Sequence, residues 1–197
     1  MKWRIRWHAE WCTTILIALL IVVGPFRSQA WAQAEHVRWD LVTITITNGT
    51  VAPGGTASAQ AQDGSTIFMT GSGTFVAPSK NGNSFGSNGS AKGGGTWTIT
   101  GPHASAGTYE VVGLVRWERE PGHHLPPIIT NDAIDEGEPS SGLAVLRIEY
   151  SDGERGILVV SCNLPPPRAD MFEGITATKG VVDYKMPVAG FTLFHVR

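Results

Sequence analysis

The most constraining feature of this chain is a period of two. Val42, Ile44 and Ile46 alternate with Thr43, Thr45 and Thr47. β-Branched residues in that alternation build a strand with one buried face, not a helix. The same period returns along the chain. Trp97 and Ile99 alternate with threonines; Tyr109, Val111, Gly113, Val115 and Trp117 oppose Glu110, Arg116 and Glu118; Ala144, Leu146, Ile148 and Tyr150 oppose Arg147 and Glu149. Residues 156–162 are apolar on both faces, which predicts a central strand. Asn48-Gly49, Asp63-Gly64 and Asp152-Gly153 supply the turn chemistry between strands. The chain has 24 glycines in 197 residues, above the usual share of about 7%, and no segment after residue 34 sustains helical periodicity. The expected fold class is all-β: a single antiparallel β-barrel of about eight or nine short strands, with a two-sheet β-sandwich as the alternative. A closed barrel removes the exposed strand edges that an open sheet leaves.

The first residues have a different character. Lys2, Arg4 and Arg6 precede the apolar run 15–23, Gly24-Pro25 breaks it, and Ala32-Gln33-Ala34 offers small residues for cleavage. This layout predicts a secretory signal peptide over 1–34, followed by a secreted all-β domain over 35–197. The apolar stretch from Thr13 to Phe26 is about 14 residues, short of the roughly 20 that span a bilayer. The expected location is therefore secreted or periplasmic, with no membrane span after cleavage. Cleavage would remove Lys2, Arg4, Arg6 and Arg27 with Glu10, moving the formal charge from −2 to about −5. An acidic domain argues against nucleic acid as a partner. Cys12 would also leave, so Cys162 would have no internal disulfide partner.

Two loops stand apart. Residues 78–95 are a Gly/Ser/Asn-rich stretch that cannot pack a core. Residues 120–142 are long, Pro-rich and acidic, the kind of loop that often carries function. Within the second, His123 and His124 lie near Asp132, Asp135, Glu136 and Glu138. Imidazoles and carboxylates are metal ligands, but the spacing matches no calcium loop or zinc-hydrolase motif, and a solvated acidic loop is the expectation. No cofactor is predicted. Glu118 and Glu149 are candidates for a carboxylate pair, each with an arginine two residues before it, Arg116 and Arg147. Ion pairs on an outer sheet face explain the same pattern. Cys162 reads as a small buried hydrophobe. His103 and His195 carry no specific signal, and Gly-x-Ser-x-Gly and phosphate-binding glycine loops are absent. Asn48-Gly49-Thr50 and Asn88-Gly89-Ser90 match the glycosylation sequon.

Gly95-Thr96-Trp97 resembles the Gly-x-Trp element of lipocalin-type barrels, although that element belongs near the family's first strand and here falls mid-chain. Phe172-Glu173-Gly174 is similar to the Phe-x-Gly segments that dirigent proteins and allene oxide cyclases carry before a late strand. That likeness spans about a dozen residues and brings no functional residue with it. The segment itself reads as a turn and strand start with Phe172 in the core. By elimination, the expected role is non-catalytic binding of a small ligand, a carbohydrate or an extracellular partner. The alternative is a small β-barrel enzyme (cyclase, isomerase or hydrolase) working through Arg116, Glu118, Arg147 and Glu149. The two readings separate on whether those four side chains converge in a deep pocket.

Overall fold

The computed structural model describes residues 35–77, 90–134 and 136–197. The expected leader over 1–34, residues 78–89 and Asp135 lie outside the described residues. The described residues form strands joined by turns and loops, with one 3-10 turn at Ile46–Asn48 and no α-helix.

Several strands serve two neighbours along one edge, and this closes the sheet. β1 (Glu35–Thr45) pairs on one side with the last strand, β14 (Phe191–Val196). Its other edge is divided: Glu35–Asp40 pair with β5 (Ser72–Ala77), while Val42–Thr45 pair with β2 (Thr50–Pro53). β4 (Thr66–Thr70) and β5 form one unslipped ladder along β6 (Ala91–Thr100), from Thr66 opposite Thr100 to Phe75 opposite Ala91. They part on their far side at Gly71, β4 going to β3 (Thr56–Gln60) and β5 to β1. β7 (Ser105–Glu120) joins β6 to β9 (Glu138–Tyr150). The far edge of β9 is divided in turn: Glu138–Ser140 meet β14, and Gly142–Glu149 meet β10 (Arg155–Cys162). β10 leads to β11 (Gly174–Lys179) and β12 (Val182–Tyr184). After Lys185 the chain continues as β13 (Met186–Ala189), which pairs with β3.

Two circuits result, the second joined between β12 and β13 by the chain itself. One runs β1–β5–β6–β7–β9–β14 and returns to β1. The other leaves β9 through β10, β11, β12 with β13, β3 and β4, and returns through β6 and β7. The chain is a closed antiparallel β-barrel; among the described residues the one parallel pairing is the short contact between β2 and β8 (Asn131–Asp132). The strand segments among the described residues number fourteen, more than the alternation suggested, because continuous stretches change partners at sites such as Gly71 and Lys185.

The core is aromatic at its centre. Trp39, Trp97, Tyr109, Phe75 and Phe194 are buried. Trp117 bridges Phe194 at 4.7 Å and Phe75 at 5.3 Å in edge-on contacts, the geometry aromatic quadrupoles favour. Close approach of backbones sets one glycine: a Cβ on Gly95 would lie 1.9 Å from the Thr70 carbonyl oxygen. β7 departs from the simple alternation. Register shifts between Val111 and Gly113 and between Leu114 and Arg116 rotate the strand, so Leu114 is buried and Val115 only half-buried. Each bulge inserts an unpaired residue and flips the side chains beyond it. β10 is central as its two-sided apolarity predicts, flanked by β9 and β11.

Candidate functional site

The site is built on the outer face of β1 and β14. Strand pleating sends Val37, Trp39 and Leu41 into the core, where they are buried. Their neighbours Arg38, Asp40 and Val42 face the other way, opposite His195, Leu193 and Phe191 of β14, and Ile44 follows them opposite Val51 of β2. That outer face holds charge at one end and apolar surface at the other. The long loop after β7 crosses it as a strap.

Backbone bonds fix the strap. Thr130 and Asn131 donate N–H to the Gly49 carbonyl at 2.8 and 3.1 Å, and Ala133 donates to Val51 at 2.9 Å. Gly49 has φ +62°, and a Cβ there would come 2.4 Å from the Ile128 carbonyl oxygen, so only glycine permits this approach. Over the polar end, Arg38 holds Asp40 through Nε and Nη2 at 2.8 and 3.0 Å and reaches Glu136 of the strap through Nη1 at 2.7 Å. His195, fully buried, donates Nε2–H to Oδ2 of Asp132 at 2.7 Å. Its other ring nitrogen, Nδ1, is buried with no hydrogen-bond partner among the described residues.

Over the apolar end the strap leaves a pocket of about 130 Å³. Val42 and Ile44 of β1, Leu125 and Ile129 of the strap, and Phe191 and Leu193 of β14 form its walls. Asn163, Glu173 and Thr192 bring polar groups to it. Glu173 comes from the turn before β11. Its Oε2 accepts the Asn163 N–H at 2.6 Å, and its Oε1 accepts the Thr192 N–H at 2.7 Å. Thr192 Oγ1 donates to the Ser161 carbonyl at 2.7 Å and stands 3.2 Å from Oε1. Asn163 is itself pinned, its Nδ2 donating to the Met171 and Arg168 carbonyls and its Oδ1 accepting the Arg168 N–H.

Burial pushes the Glu173 carboxyl above the usual carboxylate range, against the opposing pull of its backbone N–H donors. Among the described residues no lysine, arginine or histidine forms an ion pair with it. Cys162, two strand positions behind Leu164, is fully buried. Burial, and secondarily the nearby Glu173 carboxyl, push its thiol well up, so it is not a poised nucleophile.

The residues singled out by sequence fall elsewhere. Arg116 pairs with Glu118 at 2.9 Å on the outer surface, beside Glu120, Arg168 and Asp170. Glu149 pairs with Arg155 at 3.0 Å, and it shares a different shallow depression with Arg147. The structure does not bring these four together. His123 donates Nδ1–H to the Leu164 carbonyl at 2.8 Å, and the His124 backbone N–H is tied to Pro165. Asp132 is committed to His195. No group of three or more potential ligands gathers among the described residues, and Asp135 lies outside them.

The sequence offers Asp132 only as a possible metal ligand and gives His195 no role; they are far apart in the chain and share no motif that would pair them. Glu173 sits in the Phe172-Glu173-Gly174 segment, where the sequence points to Phe172 as the core residue, and Phe172 is only half-buried. The usable signal was an acidic residue flanked by apolar ones at a strand start. Comparisons with protein-family models, with curated proteins and with solved structures return no match to this chain.

Proposed function

We propose that this is a secreted, non-catalytic binding protein whose pocket beneath the strap takes one compact apolar group. The observation that carries this is the composition of the pocket. Side chains from β1, the strap and β14 converge on about 130 Å³ of space, and the polar groups reaching it are confined to one corner. An apolar cavity of about 150 Å³ accommodates benzene, so a phenyl- or isobutyl-sized group matches the volume. A few placed polar groups in an apolar pocket are the usual design of a ligand site. A carbohydrate is a poorer match, because its many hydroxyls would find few partners on these walls. The exposed Ile46, Ile128 and Phe191 belong to the same face and extend its apolar character outward.

The test is methyl NMR on the protein with isobutanol, benzene and p-cresol as probes. Binding should shift the methyl resonances of Val42, Ile44, Ile129 and Leu193 and leave Leu146 and Leu158, in the core, unmoved. Saturating probe with no shift at the first group would remove the pocket reading. Filling the pocket with Leu193→Trp should abolish the shifts at the remaining methyls.

A further inference from the structure

We infer that the ligand of this pocket is a compact apolar amine whose ammonium group seats against Glu173; the inference rests on the pocket reading above. The first support is an unbalanced charge. Several acidic groups around the strap have side-chain partners: Asp40 and Glu136 meet Arg38, and Asp132 hydrogen-bonds His195. At the far side of the barrel, Asp152 and Glu154 share Lys179. Glu173 has backbone donors and no cation among the described residues.

The second support is geometry. Each Glu173 oxygen already accepts one backbone N–H, at 2.6 and 2.7 Å. Those donors hold the carboxyl in place and suit an acceptor. They do not neutralise its charge. Thr192 Oγ1 has one proton, and at 2.7 Å it is spent on the Ser161 carbonyl. With Glu173 ionised, the corner offers acceptors to an incoming group and no free side-chain donor, the Asn163 amide being consumed by the Arg168 and Met171 carbonyls. A ligand that accepts hydrogen bonds, such as a ketone or a carboxylate, meets at most the one proton that burial holds on Glu173. An ammonium supplies donors and the missing positive charge together.

The third support is the apolar wall. Coulomb attraction strengthens where water is excluded, and charge-assisted hydrogen bonds are roughly twice as strong as neutral ones. Leu125, Ile129, Leu193 and Val42 wall this corner with apolar surface. The burial that raises the Glu173 carboxyl makes its ionised form costly while the pocket holds no cation, and a bound ammonium offsets that cost. Cys162, the titratable group that adjoins Glu173, stays neutral because burial holds its proton.

The experiment uses three isosteric probes on the full chain: isopentylamine, isopentanol and isovalerate, titrated by calorimetry, with methyl NMR locating each. The amine should bind about tenfold or more tightly than the alcohol, the carboxylate should be weakest, and the Val42, Ile44 and Leu193 methyls should report all binding. Glu173→Gln should erase the preference of amine over alcohol. An alcohol that binds as tightly as the amine overturns the amine inference and leaves the pocket standing. A preference that survives in Glu173→Gln overturns it as well. Should that variant fold poorly, the wild-type ratio of amine to alcohol decides alone. If none of the three probes binds at those methyls, the pocket reading falls and the inference falls with it.

Discussion

Replacing Asp132 by alanine strips His195 of its one side-chain partner. The imidazole is fully buried, its Nε2 lies 2.7 Å from Asp132 Oδ2, and its Nδ1 already has no partner among the described residues. The substitution therefore leaves both ring nitrogens of a buried imidazole without a side-chain partner among the described residues. An orphaned buried polar group costs about 1–3 kcal/mol. Asp132 Oδ1 also accepts the Ile134 N–H at 3.1 Å, a second bond worth about 1 kcal/mol. The expected loss is about 3 kcal/mol, or roughly 6–12 °C in Tm for a domain of this size. Denaturant titration would read it as a lower midpoint with unchanged slope. Hydrogen exchange should quicken first at the strap amides Thr130 and Ala133, which bond Gly49 and Val51. A second substitution tests the cause. If the cost is the stranded imidazole, His195→Leu in the Asp132→Ala background should recover at least half of it, because an apolar group asks for no partner. A loss below about 0.5 kcal/mol in the single variant, or no recovery in the double, would refute the reasoning.

Three further outcomes follow from the same physics. Arg116→Ala and Glu149→Ala should each change unfolding free energy by less than about 1 kcal/mol, because their ion pairs are solvated; denaturant midpoints check this. Gly95→Ala should cost about 3 kcal/mol or leave the chain unfolded by circular dichroism, since its Cβ would meet the Thr70 carbonyl at 1.9 Å and neither backbone can retreat from the ladder. Burial raises the Glu173 carboxyl, so the folded chain keeps that proton over a range where the unfolded chain has lost it. Its stabilising contribution is full below the unfolded value and is lost as pH rises through the raised one. The stability of wild type relative to Glu173→Gln should thus decline as pH rises above the ordinary carboxylate range, and parallel curves would contradict the assignment.

The barrel was legible because alternation is a local property. Trp97 with Ile99, and Ala144 through Tyr150, face inward as the period demands. What alternation cannot say is what covers the opposite face. Val42, Ile44 and Ile46 read as a buried stripe; Val42 is buried, but on the face opposite Val37, Trp39 and Leu41. That stripe forms pocket wall under the strap, is half-buried at Ile44 and is exposed at Ile46. The bulges of β7 were equally invisible, since an extra residue in one strand is defined only against its partner. The candidate site was legible only as a suspicion that the 120–142 loop mattered. Its polar members meet across separations no spacing rule reaches: Arg38 with Glu136, Asp132 with His195 and Glu173 with Thr192.

The pairing of β1 with β14, Val37 opposite Val196, has a kinetic cost. Its partners are separated by almost the whole described chain, and ordering so long a loop before any contact rewards it slows folding. The pocket inherits that timing. Val42 and Leu193 become neighbours only when β14 docks on β1, so the pocket forms no earlier than that step. A small amine added during refolding should therefore act only from that step onward, holding the closed circuit against reopening.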